Sequence, residues 1–171
     1  MTNEENQQLA ALLGKLTWPV APEVFDALCE NFIATPVELA IVRESSNWPE
    51  VFMIYRDDTY FHGWHITGSL ILPGRTVGTV VHDIISRELG ISLSEPDLTF
   101  IRFREFMKGA GPGQSSRGQE LSLIHVLRLP EDADVPLDEH RKFFPLSDLP
   151  STTLPHHVVV LEDVREYLAG K

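Results

Sequence analysis

The residues best suited to chemistry in this 171-residue chain gather on one predicted helix, TVGTVVHDIISRELG (76–90). Advancing by about 100° per residue, Val80, Val81, Ile84, Ile85 and Leu89 form a continuous apolar arc, with His82, Asp83, Ser86 and Arg87 on the opposite side. Glu88 falls at about 80° from Val80, between Ile84 and Val81 and inside the apolar arc. A carboxylate aimed at a buried face is costly unless a cation or hydrogen bonds compensate it. Two arrangements satisfy it. In one, Glu88 bends to solvent or pairs with a nearby arginine; in the other it coordinates a hard divalent cation, which takes oxygen ligands and keeps waters or phosphate oxygens for the rest.

A second group is basic. Arg102, Arg104, Lys108 and Arg117 fall in one short stretch of a chain whose formal net charge is -11. They read either as a solvated strand and loop or as local help for a phosphate ligand. The overall acidity repels nucleic-acid backbones and anionic lipid and argues against a general binder of either. Imidazole titrates near neutral pH, which makes the histidines candidates for proton transfer. His140 lies in the charged run DEHRK, His65 and His125 lie on predicted strands, and His156 and His157 open the last helix. Cys29 is the single cysteine, so no intrachain disulfide or cysteine zinc cage can form, and its neighbours Phe25 and Leu28 make it a helix packing residue.

These residues need a scaffold. QQLAALLGKL (7–16) and PEVFDALCENFI (22–33) have helical apolar spacing, the second with Pro22 in the first turn, and form a helical extension over residues 1–34. The domain proper then runs from 35 to 171. VELAIVRE (37–44) and VFMIYRD (51–57) read as strands joined by the polar turn SSNWPE, and GWHITGSLILPG (63–74) as a β-rich run broken by glycine and proline. The 76–90 helix ends at Gly90. LTFIRFREFM (98–107) and LSLIHVLRL (121–129) read as long strands around the loop KGAGPGQSSRGQ, and HHVVVLEDVREYL (156–168) as a closing amphipathic helix. The order is mixed α/β (α+β), a mixed sheet sandwiched between helices. The acidic N-terminus MTNEENQQ lacks a signal-peptide pattern, and no apolar run reaches the roughly 20 residues of a membrane span, so a cytoplasmic protein away from membranes is expected.

From Gly68, the run GSLILPGRTVGTVVHDIISRELGI resembles the Nudix box, a glycine, five residues, Glu, seven residues, then Arg-Glu-apolar-x-Glu-Glu-x-Gly-apolar. Aligned on Gly90-Ile91, Ser69 falls at the first glycine, Arg75 at the first Glu, Asp83 at the Arg, Ile84 at the next Glu, and Arg87 and Glu88 at the paired glutamates. The loop length, Gly74, the apolar rhythm and Glu88-x-Gly90-Ile91 are kept. Most of the charge is not. This departure resembles the GDP-mannose mannosyl hydrolase branch, with a loose similarity over about residues 25–168. The resemblance implies a Nudix fold, a homodimer, and a hydrolase of a nucleoside diphosphate derivative such as a nucleotide sugar, using one Mg²⁺ or Mn²⁺. It assigns the metal to the backbone carbonyl of Gly68 or Ser69, to Glu88 and to Glu139, the general base to His140, and stabilisation of the leaving diphosphate to Arg56. Arg102, Arg104 and Arg117, from the basic stretch, are expected as further substrate contacts. The loss of carboxylates at 75, 84 and 87 keeps a second expectation open, a catalytically inactive Nudix-fold module that binds a nucleotide or metabolite.

Overall fold

A computed structural model describes residues 1–44, 48–109, 114–115, 117–130 and 133–170. The turn residues 45–47 and the loop residues 110–113 and 116 lie outside the described set. Helix α1 spans Asn3–Leu13 and opens with a Thr2–Glu5 capping box, in which each side chain takes up a backbone N–H that the first turn leaves unpaired. It buries no side chain. Helix α2, Pro22–Asn31, buries Cys29. Hydrogen bonds from Ala34 N to Gln119 O and from Leu121 N to Ala34 O tie the chain after α2 to the sheet.

The sheet comprises β1 (Pro36–Arg43), β2 (Glu50–Asp57), β3 (His62–His65), β4 (Thr67–Leu70), β5 (Asp97–Lys108), β6 (Gln114–Ser115), β7 (Glu120–Arg128) and β8 (Arg141–Pro145), in the order β3-β2-β1-β7-β5-β6. β1 runs parallel to β7, from Val37 opposite Leu123 to Val42 opposite Arg128. Its other edge is shared. β2 takes the far end, with Val42 opposite Val51, and β4 takes the near end, with Glu38 opposite Gly68. β1 is therefore covered on both edges and both faces, which is why PVELAIV is buried throughout and reads as a nearly unbroken apolar run.

Alternation along β1 and β2 sends side chains into two cores. Val37, Leu39, Ile41 and Phe52 pack against the helix that starts at Val77, whereas Ala40, Val42, Val51 and Met53 pack against α4 (Pro155–Leu168) through Val160, Leu161 and Val164. The first helix, α3 (Val77–Ile84), is capped by Thr76, whose hydroxyl accepts from Thr79 N at 3.2 Å. It continues as a π-turn over Ile85–Leu89 and stops at Gly90, whose φ of 66° is the left-handed conformation that glycine adopts without a Cβ penalty. The apolar arc expected from the sequence is buried: Val80, Val81, Ile84, Ile85 and Leu89 all lie in the core. β6 and β8 were not legible as strands. β8 is five residues long and follows a charged run, and only its antiparallel pairing with β2, Ile54 opposite Arg141, fixes it.

Candidate ligand pocket beside the degenerate box

Where β1 passes from β2 to β4 the sheet forks, and the fork opens a cavity of about 100 Å³ under the start of α4. Its walls include Arg56, Phe61, Ser69, Arg117, His156 and Leu154, with Glu38, His65, Gly68 and His157 also lining it. Strand alternation puts Glu38 on the same face as Ala40 and Val42, pointing toward α4. Gly68 sits opposite it for a steric reason: a Cβ there would lie 2.9 Å from the Glu38 carboxylate oxygen.

Among the described residues, four buried side-chain atoms of the cavity's lining residues have no hydrogen-bond partner: Glu38 Oε2, His65 Nε2, His157 Nδ1 and Arg117 Nε, the first and third lying 3.9 Å apart, beyond hydrogen-bond distance. Unpaired buried polar atoms are uncommon and each costs about 1–3 kcal/mol, so four converging on one cavity mark it as built for a polar occupant. Their protonation follows from burial. Desolvation, helped by the charge of Glu120 and opposed by Arg117, pushes the Glu38 carboxyl up to about 8, so that it is a neutral acid at pH 7. Burial also pushes His65 and His156 down to about 4, and His157 well below the usual imidazole value. His65 Nδ1 lies 2.5 Å from the Ile66 carbonyl, so Nδ1 carries the proton and Nε2 is left as a buried acceptor without a hydrogen-bond partner. The cations are the two arginines. Arg56 donates from Nε to Asp58 at 2.7 Å and lies over the Phe61 ring, and Arg117 reaches Glu120 from Nη2 at 3.4 Å.

The residues singled out from the sequence separate into three places. Arg56, Ser69 and Arg117 line the cavity. Arg102 and Arg104 do not: both grip Asp163, a 1 % exposed carboxylate on α4, through Arg102 Nη1 at 2.6 Å and Arg104 Nη2 at 2.7 Å, and so fasten α4 to β5. His140 and Glu139 sit on the surface with side chains 63 % and 85 % exposed, and the His140 ring stacks on Tyr55. Glu38 was missed by sequence reasoning. Its signal was a single acid inside the otherwise apolar run VELAIV, the same kind of anomaly that drew attention to Glu88.

Glu88 itself is half-buried and pairs with its neighbour, Arg87 Nε donating to Oε1 at 2.5 Å, while Arg87 Nη2 reaches the Gly68 carbonyl at 3.5 Å. Of the two arrangements open to it, the arginine pair is the one adopted. Its side chain is 21 % exposed, beside an apolar arc whose last member, Leu89, is fully buried in the same π-turn. Arg75 likewise pairs with Asp83 and donates to the Thr79 carbonyl at 3.2 Å. Among the described residues no group of three His, Cys, Asp or Glu side chains is placed to hold a metal ion. With both arginines on the box already paired to its acids, these side chains do not fit a divalent cluster.

No family model and no curated protein matches the sequence. Solved structures do. The NUDIX domain of Shewanella oneidensis NrtR, in a cocrystal with ADP ribose, matches with a TM-score of 0.62 at 14% identity over 98% of this chain and 99% of that one. The chain has the Nudix fold. A mutT/nudix family protein from Listeria innocua matches with a TM-score of 0.61 at 12% identity, over 80% of this chain and 94% of that one. The E. coli dihydroneopterin triphosphate pyrophosphohydrolase gives 0.60 at 16%, over 80% and 96%. Identities this low speak for the Nudix fold alone, so the chemistry has to be argued from this chain's own residues. No helix among the described residues is long and apolar enough to cross a membrane.

Proposed function

We propose that this Nudix-fold chain is a binding module for a nucleoside diphosphate derivative, seated at the fork between β4 and α4, that works without metal-assisted hydrolysis. The observation that carries the reading is the gathering of four buried polar atoms without hydrogen-bond partners, Arg117 Nε among them, in the walls of a cavity that Arg56 also lines. At about 100 Å³ the cavity is smaller than the roughly 300 Å³ at which whole-ligand pockets begin, so it takes one part of a larger ligand. The arginines favour phosphate oxygens, for which their planar donor fork is suited. The bare His65 Nε2 calls for a hydrogen-bond donor such as a sugar hydroxyl. A phosphate joined to a hydroxyl-bearing group satisfies both, which makes a nucleotide sugar the favoured ligand.

A second reading is the single-metal nucleotide-sugar hydrolase, with Mg²⁺ or Mn²⁺ on the Gly68 or Ser69 carbonyl, Glu88 and Glu139, His140 as base and Arg56 on the leaving diphosphate. The short path from the Glu88 carboxylate through Arg87 to the Gly68 carbonyl supports it, because those two oxygen donors lie close together. Calorimetry with ADP, GDP and UDP and their sugar esters, in EDTA and in Mg²⁺, together with product analysis, separates the readings. The module binds in EDTA, yields no product, and loses affinity in Arg56→Ala and Arg117→Ala. Metal-dependent turnover that collapses in Glu88→Gln overturns it in favour of the hydrolase, and no binding of any member of the panel overturns both.

A further inference from the structure

The degenerate box is charge-balanced from within. Four charged side chains lie between residues 75 and 88, and they form two internal pairs, Arg75 with Asp83 and Arg87 with Glu88. Hard divalent cations are drawn to clustered carboxylates that keep their charge, and each acid here is already paired with a guanidinium of the same box, Asp83 with Arg75 just before the helix and Glu88 with Arg87 on it. The position of the second pair is specific. Arg87 spans from the Glu88 carboxylate, at 2.5 Å, to the carbonyl of Gly68, at 3.5 Å, and so touches two of the oxygen donors assigned above to a single ion at this box. Its side chain is 52 % exposed, so it keeps access to solvent while it holds Glu88. Glu88 is 21 % exposed, shielded enough that its partner's charge is not simply screened away by water.

We infer that the Arg87 guanidinium takes the place of a divalent ion at this box, a covalently tethered cation that excludes metal and offers its outer N–H groups directly to a ligand oxyanion. The metal half of this inference stands on the box alone. The ligand half rests on the proposed nucleotide binding. An arginine differs from an ion in what it can do with an oxyanion. It donates hydrogen bonds in a fixed plane, carries one positive charge instead of two, and coordinates no water that could be ionised as a nucleophile. A site built this way grips a phosphate and has no activated water to attack it with.

The test uses the whole chain and Mn²⁺ as probe, with bound metal read by water-proton relaxation and by calorimetry, and folding of each variant checked by circular dichroism. The unaltered protein is expected to show no stoichiometric Mn²⁺ site. Arg87→Glu sets a second carboxylate beside Glu88 and is expected to create a one-to-one site at least about tenfold tighter than any residual binding; adding Glu88→Gln to that variant removes it. Arg87→Gln is a milder change, lifting the charge without adding a ligand, and is expected to bind Mn²⁺ more weakly than Arg87→Glu but more tightly than the unaltered chain. A stoichiometric Mn²⁺ site in the unaltered protein that Glu88→Gln abolishes overturns the inference, as does an Arg87→Glu variant that folds and gains no site. For the ligand half, affinity for the tightest-binding member of the nucleotide panel in EDTA is expected to fall about tenfold in Arg87→Gln. Unchanged affinity there overturns the ligand role of Arg87 alone, whereas a panel with no binder at all defeats the proposed function and leaves the Mn²⁺ result standing.

Discussion

Glu38 gives the sharpest test of the site's electrostatics. An unfolded-chain glutamate releases its proton near 4.5, but in the folded protein burial between β1 and α4 holds the proton up to about 8. Between those two values the folded state binds one proton more than the unfolded state, so stability falls as pH rises, by about 1.4 kcal/mol per pH unit, and levels off above pH 8. The whole interval amounts to about 5 kcal/mol as an upper bound. The acidic part is crossed by opposing groups: His65 and His156, held down to about 4, and His157, held lower still, each cost stability as pH falls below about 6.5. The window in which the histidines' contribution fades runs from about pH 6.5 to 9, and across it Glu38 contributes a loss of about 2 kcal/mol. Glu38→Gln keeps the shape of the protonated acid and cannot ionise. Urea denaturation of both proteins across this window is expected to show the variant gaining about 2 kcal/mol on the parent as pH rises, with other titrating groups cancelling in the difference. A stability difference that stays constant from pH 6.5 to 9 refutes the burial argument and with it the neutral Glu38 at the floor of the cavity.

Two further perturbations test how the helices are fastened. Asp163→Ala leaves Arg102 and Arg104 without their shared partner, but both are more than a third exposed and can hydrate; the expected cost in urea denaturation is about 1–3 kcal/mol, below the 3–5 kcal/mol of a stranded buried charge. Arg102→Ala is expected to cost less than 1 kcal/mol, since Arg104 still holds Asp163. In Gly118→Ala the new Cβ would lie 1.9 Å from the Cys29 carbonyl oxygen, a backbone clash that α2 can relieve only by moving. Hydrogen exchange is expected to show loss of protection at Phe32 N, which bonds Leu28 O at the end of α2, with the amides of β7 beyond Leu121 unaffected.

The architecture was legible in the sequence where side-chain periodicity is strong. The unbroken run of β1 announces a strand covered on both sides, and the arc from Val80 to Leu89 announces the face that packs on it. The site was less legible, for reasons tied to particular residues. Glu88 was found, with a nearby arginine as one way to satisfy it, but Arg87 was not named as that arginine, because a wheel fixes backbone phase and not where a long side chain reaches. His140 and Glu139 were assigned through the resemblance, without β8; the Ile54–Arg141 register shows that this segment runs along β2 and sets His140 against Tyr55. Arg102 and Arg104 were grouped with Arg117 by proximity in the chain, although Asp163, some 60 positions further along, claims the first two. Glu38 follows the same physics as Glu88, an acid in an apolar run, and asking where each such anomaly finds its compensation would have found the cavity as well as the box.

The parallel pairing of β1 with β7 also governs how the molecule must come into being. Val37 and Leu123 are neighbours in space, yet the ribosome makes one long before the other. Until β7 emerges, the most apolar strand of the protein has an open edge and can pair only with β2 and β4, so the early chain is a loose four-stranded fragment, with β3 on β2, whose sticky side is unguarded. A topology dominated by such distant pairing is slow to close, and most of the chain must be synthesised before the centre of the sheet can be sealed. A truncation ending before Glu120 should therefore accumulate as aggregate, however faithfully its own strands are paired.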